Sequence, residues 1–195
     1  MKVLVSVASR HGGTWEIGER IAEVLRASGN DVDLHAPEDV VDAEGYDALV
    51  LGSAVYTGHW LTAARDLAER VERAGVPPYV WLFSSGLATQ PAAAANSPHE
   101  LAGVATTLHA RGHRSFRGRL DMTALSFAER AIIAGARARA GDHRNFELVE
   151  QWAQGVADAL VLQPAHAAVH GQATAPEPDV TVPVTIASSM PCSAR

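Results

Sequence analysis

The sequence predicts an α/β fold, a parallel sheet with helices packed on both of its faces, and three observations carry that prediction. Strand-like runs alternate with amphipathic helical stretches; the main runs are apolar on both sides, as buried parallel strands are; and three of them end in small-residue turns. With 47% apolar residues over 195 positions, the composition suits one domain of ordinary size with a full core.

Val3–Ala8 is the first strand, apolar throughout except for Ser6. Thr14 to Ser28 reads as a helix because Ile17, Ile21, Val24 and Leu25 recur at helical spacing, and Gly29-Asn30 ends it. Val32–His35 is a short strand whose dense polar residues suit a sheet edge. Asp47–Ser53 is a second buried strand; a loop, Ala54–His59, follows it, and then a helix from Trp60 to Arg73. Pro77-Pro78 leads into the core strand Tyr79–Ser84, and another loop opens at Ser85-Gly86. Residues 88–98 are rich in Pro, Ala and Asn and read as irregular. Pro98 to Arg111 is helical, His113–Leu120 is the last strand, and Phe146–Leu162 closes the domain as an amphipathic helix. Five strands and about five helices result.

The domain spans residues 1–162. Beyond it the chain turns to Ala, Pro, His, Thr and Val, with only three charged residues, so 163–195 is expected to be an extended or disordered tail. Its stretch Asp179–Ile186 is β-branched enough to add a strand to a partner. His166 and His170 have the spacing of a metal pair but no neighbouring acid or thiolate, so no metal site is expected.

Several function classes fall away on composition. The lone cysteine, Cys192, allows no internal disulfide, thiolate cluster or cysteine-nucleophile phosphatase loop. No run of eighteen apolar residues suggests a membrane span, and Met1-Lys2 runs straight into a strand, so a soluble, cytoplasmic protein is expected. The net charge of −6 suits no nucleic-acid partner. That charge is uneven: residues 1–100 hold 14 acids against 7 bases, whereas residues 101–144 hold 3 against 8.

Chemistry in such a sheet collects at the carboxyl ends of the strands. The turn Ser9-Arg10-His11-Gly12-Gly13-Thr14 offers hydroxyls, close backbone amides and the positive end of a helix, the means of holding a phosphate without lysine. It lacks a Walker lysine and the G-x-G-x-x-G spacing, so a single terminal phosphate fits better than a triphosphate or dinucleotide. The second turn, Ser53-Ala54-Val55-Tyr56-Thr57-Gly58-His59 with Trp60, supplies aromatic planes for a flat ring. The third contributes Ser85, Gly86 and Leu87, small and rich in donors. Phosphate, ring and edge contacts together describe a flavin mononucleotide (FMN) site.

These residues resemble the flavodoxin-like family, and within it the menaquinone-dependent protoporphyrinogen oxidase branch. Ser9–Thr14 is similar to the family's Thr/Ser-x-Thr-Gly-x-Thr phosphate loop, with His11 replacing a hydroxyl residue. Gly52–Trp60 resembles the branch's Gly-Ala-Ser-Ile-Arg-Tyr-Gly-His-aromatic ring loop, with Tyr56 at the arginine position. Gly141-Asp142-His143-Arg144-Asn145-Phe146, followed by Trp152, is similar to its Gly-Asp-x-Arg-Asp-Trp lead-in to the last helix. Leu87 stands where flavodoxins often place a ring-stacking tyrosine.

The resemblance covers residues 1–162 and implies a flavodoxin-like three-layer sandwich with strand order 2-1-3-4-5 and an FMN cofactor. It further implies an oxidoreductase passing electrons from an organic substrate, protoporphyrinogen IX in that branch, to a quinone. The alternatives are an electron-carrier flavodoxin without its own substrate and a flavin-free interaction module. Because the flavin carries the chemistry, no catalytic acid or base is needed, although His59 could donate to the ring or adjust its protonation. The acidic first hundred residues should disfavour an anionic reduced flavin.

The arginines of 111–144 could receive the carboxylates of a porphyrinogen or anionic lipid head groups. Between them, 123–140 carries an imperfect apolar stripe of Leu125, Ile132, Ile133 and Ala136. This stretch packs on its own domain or on a second copy in a homodimer, or else it docks on the inner face of the plasma membrane.

Overall fold

The computed structural model describes residues 1–86, 98–127, 130 and 140–162. Leu87, the irregular segment up to 97, most of the 123–140 insert and the tail with His166, His170 and Cys192 lie outside the described residues.

Eight strands are described: β1 (Lys2–Ala8), β2 (Asp31–His35), β3 (Ala48–Tyr56), β4 (His59–Trp60), β5 (Tyr79–Gly86), β6 (Gly112–Arg117), β7 (Arg119–Leu120) and β8 (Gly141–Asp142). The helices are α1 (Gly13–Ala27), α2 (Thr62–Ala74), α3 (Pro98–Thr107) and α4 (Phe146–Val161), with a single 3-10 turn at Pro37–Asp39. The long strands are all parallel and lie in the order β2-β1-β3-β5-β6, the expected 2-1-3-4-5 arrangement counted over the parallel strands. β2 is an edge strand, as its polar residues suggested.

Alternation along each strand divides the core in two. Val3, Val5 and Val7 of β1 join Ala48, Val50, Trp81 and Phe83 beneath α1 and α4. Leu4, Leu49, Leu51, Val80 and Leu82 face α2 and α3 on the other side. Ile17, Ile21, Ala22 and Leu25 form the buried stripe of α1, and Val149, Ala153, Val156 and Leu160 that of α4. Asn145 caps α4, its side-chain oxygen accepting from Leu148 N at 3.1 Å.

No full helix joins β2 to β3 among the described residues. Arg70 of α2 instead donates to the carbonyls of Pro37 and Val40 at 2.6 and 3.0 Å, tying the short crossover to the sheet's second face.

Gly52 is required by packing. A Cβ there would lie 2.0 Å from the ring of Phe83, which is fully buried and makes edge contacts with Phe116 and Trp152. Gly52→Ala should therefore lower the unfolding free energy, read by denaturant titration, by about 1–3 kcal/mol, the usual cost of overpacking.

Four expected boundaries need correction. The strand expected to end at Ser53 continues to Tyr56, and the one expected to end at Ser84 continues to Gly86. Ser53, Ala54, Val55, Tyr56, Ser85 and Gly86 therefore lie on strands, paired with β1, β4, β5 or β6 or with each other. Trp60 does not begin a helix: it sits on β4, which pairs antiparallel with β3. The expected last strand, His113–Leu120, is broken at Gly118, and its final part, β7, leaves the sheet to pair with β8. A Cβ on Gly118 would lie 2.5 Å from Gly86 O, so only glycine lets the chain turn there.

Candidate functional site

β1 delivers the first turn to the carboxyl edge of the sheet. Gly12 caps α1 in a left-handed conformation, φ 77°, and supplies no side-chain acceptor to the first-turn amides. Nothing lies within 4 Å of where its Cβ would be. Ser9 Oγ is buried with no hydrogen-bond partner, and Thr14, at the head of the helix, is buried too. An orphaned hydroxyl beside an uncapped helix start fits a ligand that brings its own acceptors, which a phosphate does. A cleft of about 660 Å³ runs from this turn past Trp15 towards Glu38 after β2 and Leu61 before α2.

The second turn is the tip of a β-hairpin. Tyr56 pairs with His59 across it, and both tip residues, Thr57 at φ 49° and Gly58 at φ 84°, have positive φ, as a tight two-residue connection requires. Thr57 is a β-branched residue in a region that disfavours it. Ser53 Oγ, fully buried at the base, accepts from Leu61 N at 3.0 Å and donates to Ala54 O at 2.9 Å, fixing where the hairpin rejoins α2.

The first two turns touch. Arg10 lies over the Tyr56 ring, 5.7 Å from its centroid, and the His11 ring meets the same tyrosine edge-on at 6.2 Å. The third turn adjoins the second through the Ala54–Ser85 register of β3 and β5. Ser9 to Thr14, the hairpin, and Ser85-Gly86 are thus neighbours along one edge, and Leu87 lies outside the described residues.

His59, the one side chain singled out for proton chemistry, is largely exposed. Its Nδ1 lies 2.6 Å from Glu100 Oε2 on α3, and Arg65 Nε approaches the other oxygen of Glu100 at 3.4 Å. Trp60, in contrast, is buried: its Nε1 donates to Ser84 Oγ, which contacts His113 Nε2, both at 2.8 Å. Trp60 therefore packs behind the hairpin, on a strand and not on the helix expected there.

The Gly141–Phe146 segment forms a clasp on the first turn. Arg144, its side chain only 3% exposed, donates through Nη1 to Gly13 O at 2.9 Å and pairs through Nη2 with Glu16 at 2.8 Å and Asp142 at 2.6 Å. Its Nε adds a bond to Asp142 Oδ1 at 2.8 Å. Arg119 of β7 pairs with the other oxygen of Glu16 at 2.9 Å. Chiefly because Arg144 hydrogen-bonds it, the Asp142 carboxyl is pulled down to about 2.

Four arginines of the basic block are engaged within the chain, although only the Arg144 side chain is buried. Arg111 stacks on Tyr79 at 4.2 Å, Arg130 donates to Leu125 O, and Arg119 and Arg144 hold the clasp. Arg114 and Arg117 stay exposed beside a cleft of about 730 Å³ between β6 and the start of α4, while Arg137 and Arg139 lie outside the described residues. Sequence reading missed the roles of Glu100, Glu16, Ser84 and His113, because each has its partner in a distant segment.

Among the described residues no helix is long and apolar enough to cross a membrane, and no group of three or more His, Cys, Asp or Glu could hold a metal ion.

Comparison with solved structures finds the same architecture. A flavodoxin from the domain Archaea superposes with a TM-score of 0.58 at 13% identity, over 83% of this chain and 99% of that one. Oxidised flavodoxin 1 from Bacillus cereus gives 0.55 at 17% identity, over 81% and 98%. The rubredoxin oxygen:oxidoreductase of Desulfovibrio gigas gives 0.54 at 16% identity, over 82% of this chain but 36% of that longer one. No curated protein matches the sequence. The family model described as flavodoxin domain matches residues 4–146, from the first strand to the start of the last helix, and the chain belongs to that family.

Proposed function

We propose that the chain binds one FMN at the carboxyl ends of β1, β3 and β5 and works as a quinone-linked oxidoreductase acting on an organic substrate of the protoporphyrinogen type. The observation that carries the cofactor is the buried, partnerless Ser9 hydroxyl beside the uncapped, left-handed start of α1. Membership of the flavodoxin family supports the same ligand. The narrower, quinone-linked reading rests on the ring-loop and lead-in resemblances. Both segments reach the phosphate turn, Tyr56 through Arg10 and His11, and Arg144 through Gly13 O.

When bound, FMN supplies the two-electron chemistry between donor and acceptor. The chain holds and orients it. Ser9, Thr14 and the first-turn amides of α1 would take the phosphate, and Tyr56 would offer an aromatic plane to the ring. Glu100 fixes His59 through Nδ1, leaving Nε2 for a group at the hairpin rim. Exposed Phe127, at the head of the 123–140 insert, suits docking of this cytoplasmic protein on a membrane that holds the quinone.

A stand-alone electron carrier is the second reading, favoured by the flavodoxins that match over 98–99% of their own length. The test is made on the purified full chain. It should be yellow, release FMN on heating, and oxidise protoporphyrinogen IX under anaerobic conditions only when a menaquinone analogue is present. Colour and electron exchange with a reductase but no such turnover would leave the carrier. A colourless chain that takes up no FMN would overturn both.

A further inference from the structure

β6 is the last strand of the parallel sheet, and it borders the cleft of about 730 Å³ that it shares with the start of α4. That volume lies within the roughly 300–1,000 Å³ range of small-molecule sites. Side chains alternate along a strand, so Arg114 and Phe116 leave one face of β6, and Ser115 and Arg117 the other. All four line the cleft, which therefore wraps the edge of the sheet. The register sets Arg117 beside Gly86, so one end of the lining reaches the carboxyl edge of the strands.

Charge and hydrogen bonding both mark this space for an anion. Among its described lining residues stand three arginines and a single carboxylate, in a chain whose net charge is −6. That carboxylate, Asp142, is engaged on both oxygens by Arg144, at 2.8 and 2.6 Å, which leaves Arg114 and Arg117 as the uncompensated charges. Both are exposed, and neither makes a hydrogen bond or ion pair among the described residues. Two further lining residues hold polar atoms shut off from water and without a partner, Ser115 Oγ and His143 Nε2. Buried polar atoms are ordinarily satisfied, so two orphans around one cleft call for a ligand that supplies the missing partner. Neither atom has a bond to lose when its side chain turns towards that ligand. Arginines on an edge strand also block edge-to-edge pairing, but that duty asks for no buried, partnerless hydroxyl or imidazole nitrogen beside them.

We propose that this cleft is a seat for an organic anion, a carboxylate head on an apolar body. Arg114 and Arg117 hold the head, Ser115 and His143 complete its hydrogen bonds, and Phe146 and Leu148 meet the body. A guanidinium presents a planar fork that matches the two oxygens of a carboxylate. The head of α4 is not the holder, since Asn145 already takes Leu148 N. Leu148 is 42% exposed, apolar surface that a bare inorganic ion would leave uncovered. Arg144 lines the cleft and also donates to Gly13 O, so the clasp stands between this seat and the phosphate turn. The seat is argued without the FMN reading.

The test uses the full chain without FMN, and pyrenebutyrate as the probe, followed by its fluorescence anisotropy at low ionic strength. Binding should saturate and weaken as salt is added. Pyrenebutanol, which keeps the body and lacks the carboxylate, should bind about tenfold more weakly or worse. Arg114→Gln and Arg117→Gln should each weaken pyrenebutyrate by about tenfold while leaving pyrenebutanol unchanged, and Ser115→Ala should weaken it less. Both arginines are exposed, so these variants should unfold at the wild-type denaturant midpoint.

Equal affinity for acid and alcohol overturns the anion seat, as does wild-type affinity in both arginine variants. Displacement of pyrenebutyrate by saturating FMN would move the probe to the other cleft and overturn the assignment to β6. A chain that binds the acid as expected but takes up no FMN leaves the seat standing and removes the FMN reading.

Discussion

Arg144→Met should destabilise the protein by about 3 kcal/mol, near the lower end of the cost of removing one partner from a buried ion pair. The side chain is 3% exposed and makes contacts to Gly13 O, Glu16 and Asp142, so methionine keeps the volume and loses every polar contact. Two carboxylates are then left together without their shared cation. Because Glu16 and Asp142 are themselves 38% and 45% exposed, water relieves part of that repulsion, which keeps the value from being larger. The pH dependence is a second, sharper check. In the folded wild type Asp142 sits at about 2, below its ordinary 3.8, so its contribution is full above the ordinary value and lost as pH falls towards 2. The gap in unfolding free energy between wild type and Arg144→Met should therefore narrow from pH 4 downward, read by denaturant titration at each pH. A gap that stays constant would show that Arg144 acts by packing on Phe146, whose ring centre lies 4.9 Å from the guanidinium, and not through the carboxylates.

Gly12→Val should cost far more in ligand affinity than in fold stability. The position has φ 77°, where a β-branched residue is strained by roughly 1–2 kcal/mol, while the space around its Cβ is open. Relief of that strain turns the amides at the head of α1 away from a bound phosphate. Loss of two charge-assisted hydrogen bonds, at about 1.5–3 kcal/mol each, weakens FMN binding by about a hundredfold or more. Fluorescence titration of FMN into the variant measures this directly. Wild-type affinity in a folded Gly12→Val protein would remove the phosphate from this turn.

The sheet was legible because its strands are buried on both faces: runs such as Val3–Ala8 and Tyr79–Ser84 have no polar alternation to confuse with a helix. The candidate phosphate turn stood out for a local reason, since hydroxyls, glycines and the helix start all lie within residues 9–14. The hairpin was not. Its tip is Thr57-Gly58, not the Asn-Gly or Asp-Gly that announces such a turn, and its return strand is only two residues long. Trp60 consequently looked like the first residue of a helix. Nor could the clasp be seen, because Arg144 and Gly13 are 131 positions apart and nothing local marks a guanidinium that will be buried. The same holds for Trp60, Ser84 and His113, each an ordinary residue in its own segment. Within the cluster of arginines the fold buries the side chain of Arg144 as an internal fastener and leaves Arg111, Arg114, Arg117, Arg119 and Arg130 exposed.

The strand order carries a consequence for biosynthesis. β1 lies inside the sheet, between β2 and β3, and β5, the partner of β3 on its other side, begins only at Tyr79. A nascent chain that has emerged as far as Tyr56 already holds a complete three-stranded unit, β2-β1-β3, with one long apolar margin bare. That margin is the kind of template on which copies join edge to edge. Ribosomes that stall between the hairpin and Tyr79 would release fragments prone to aggregate, whereas truncation after Leu162 leaves the parallel strands fully paired.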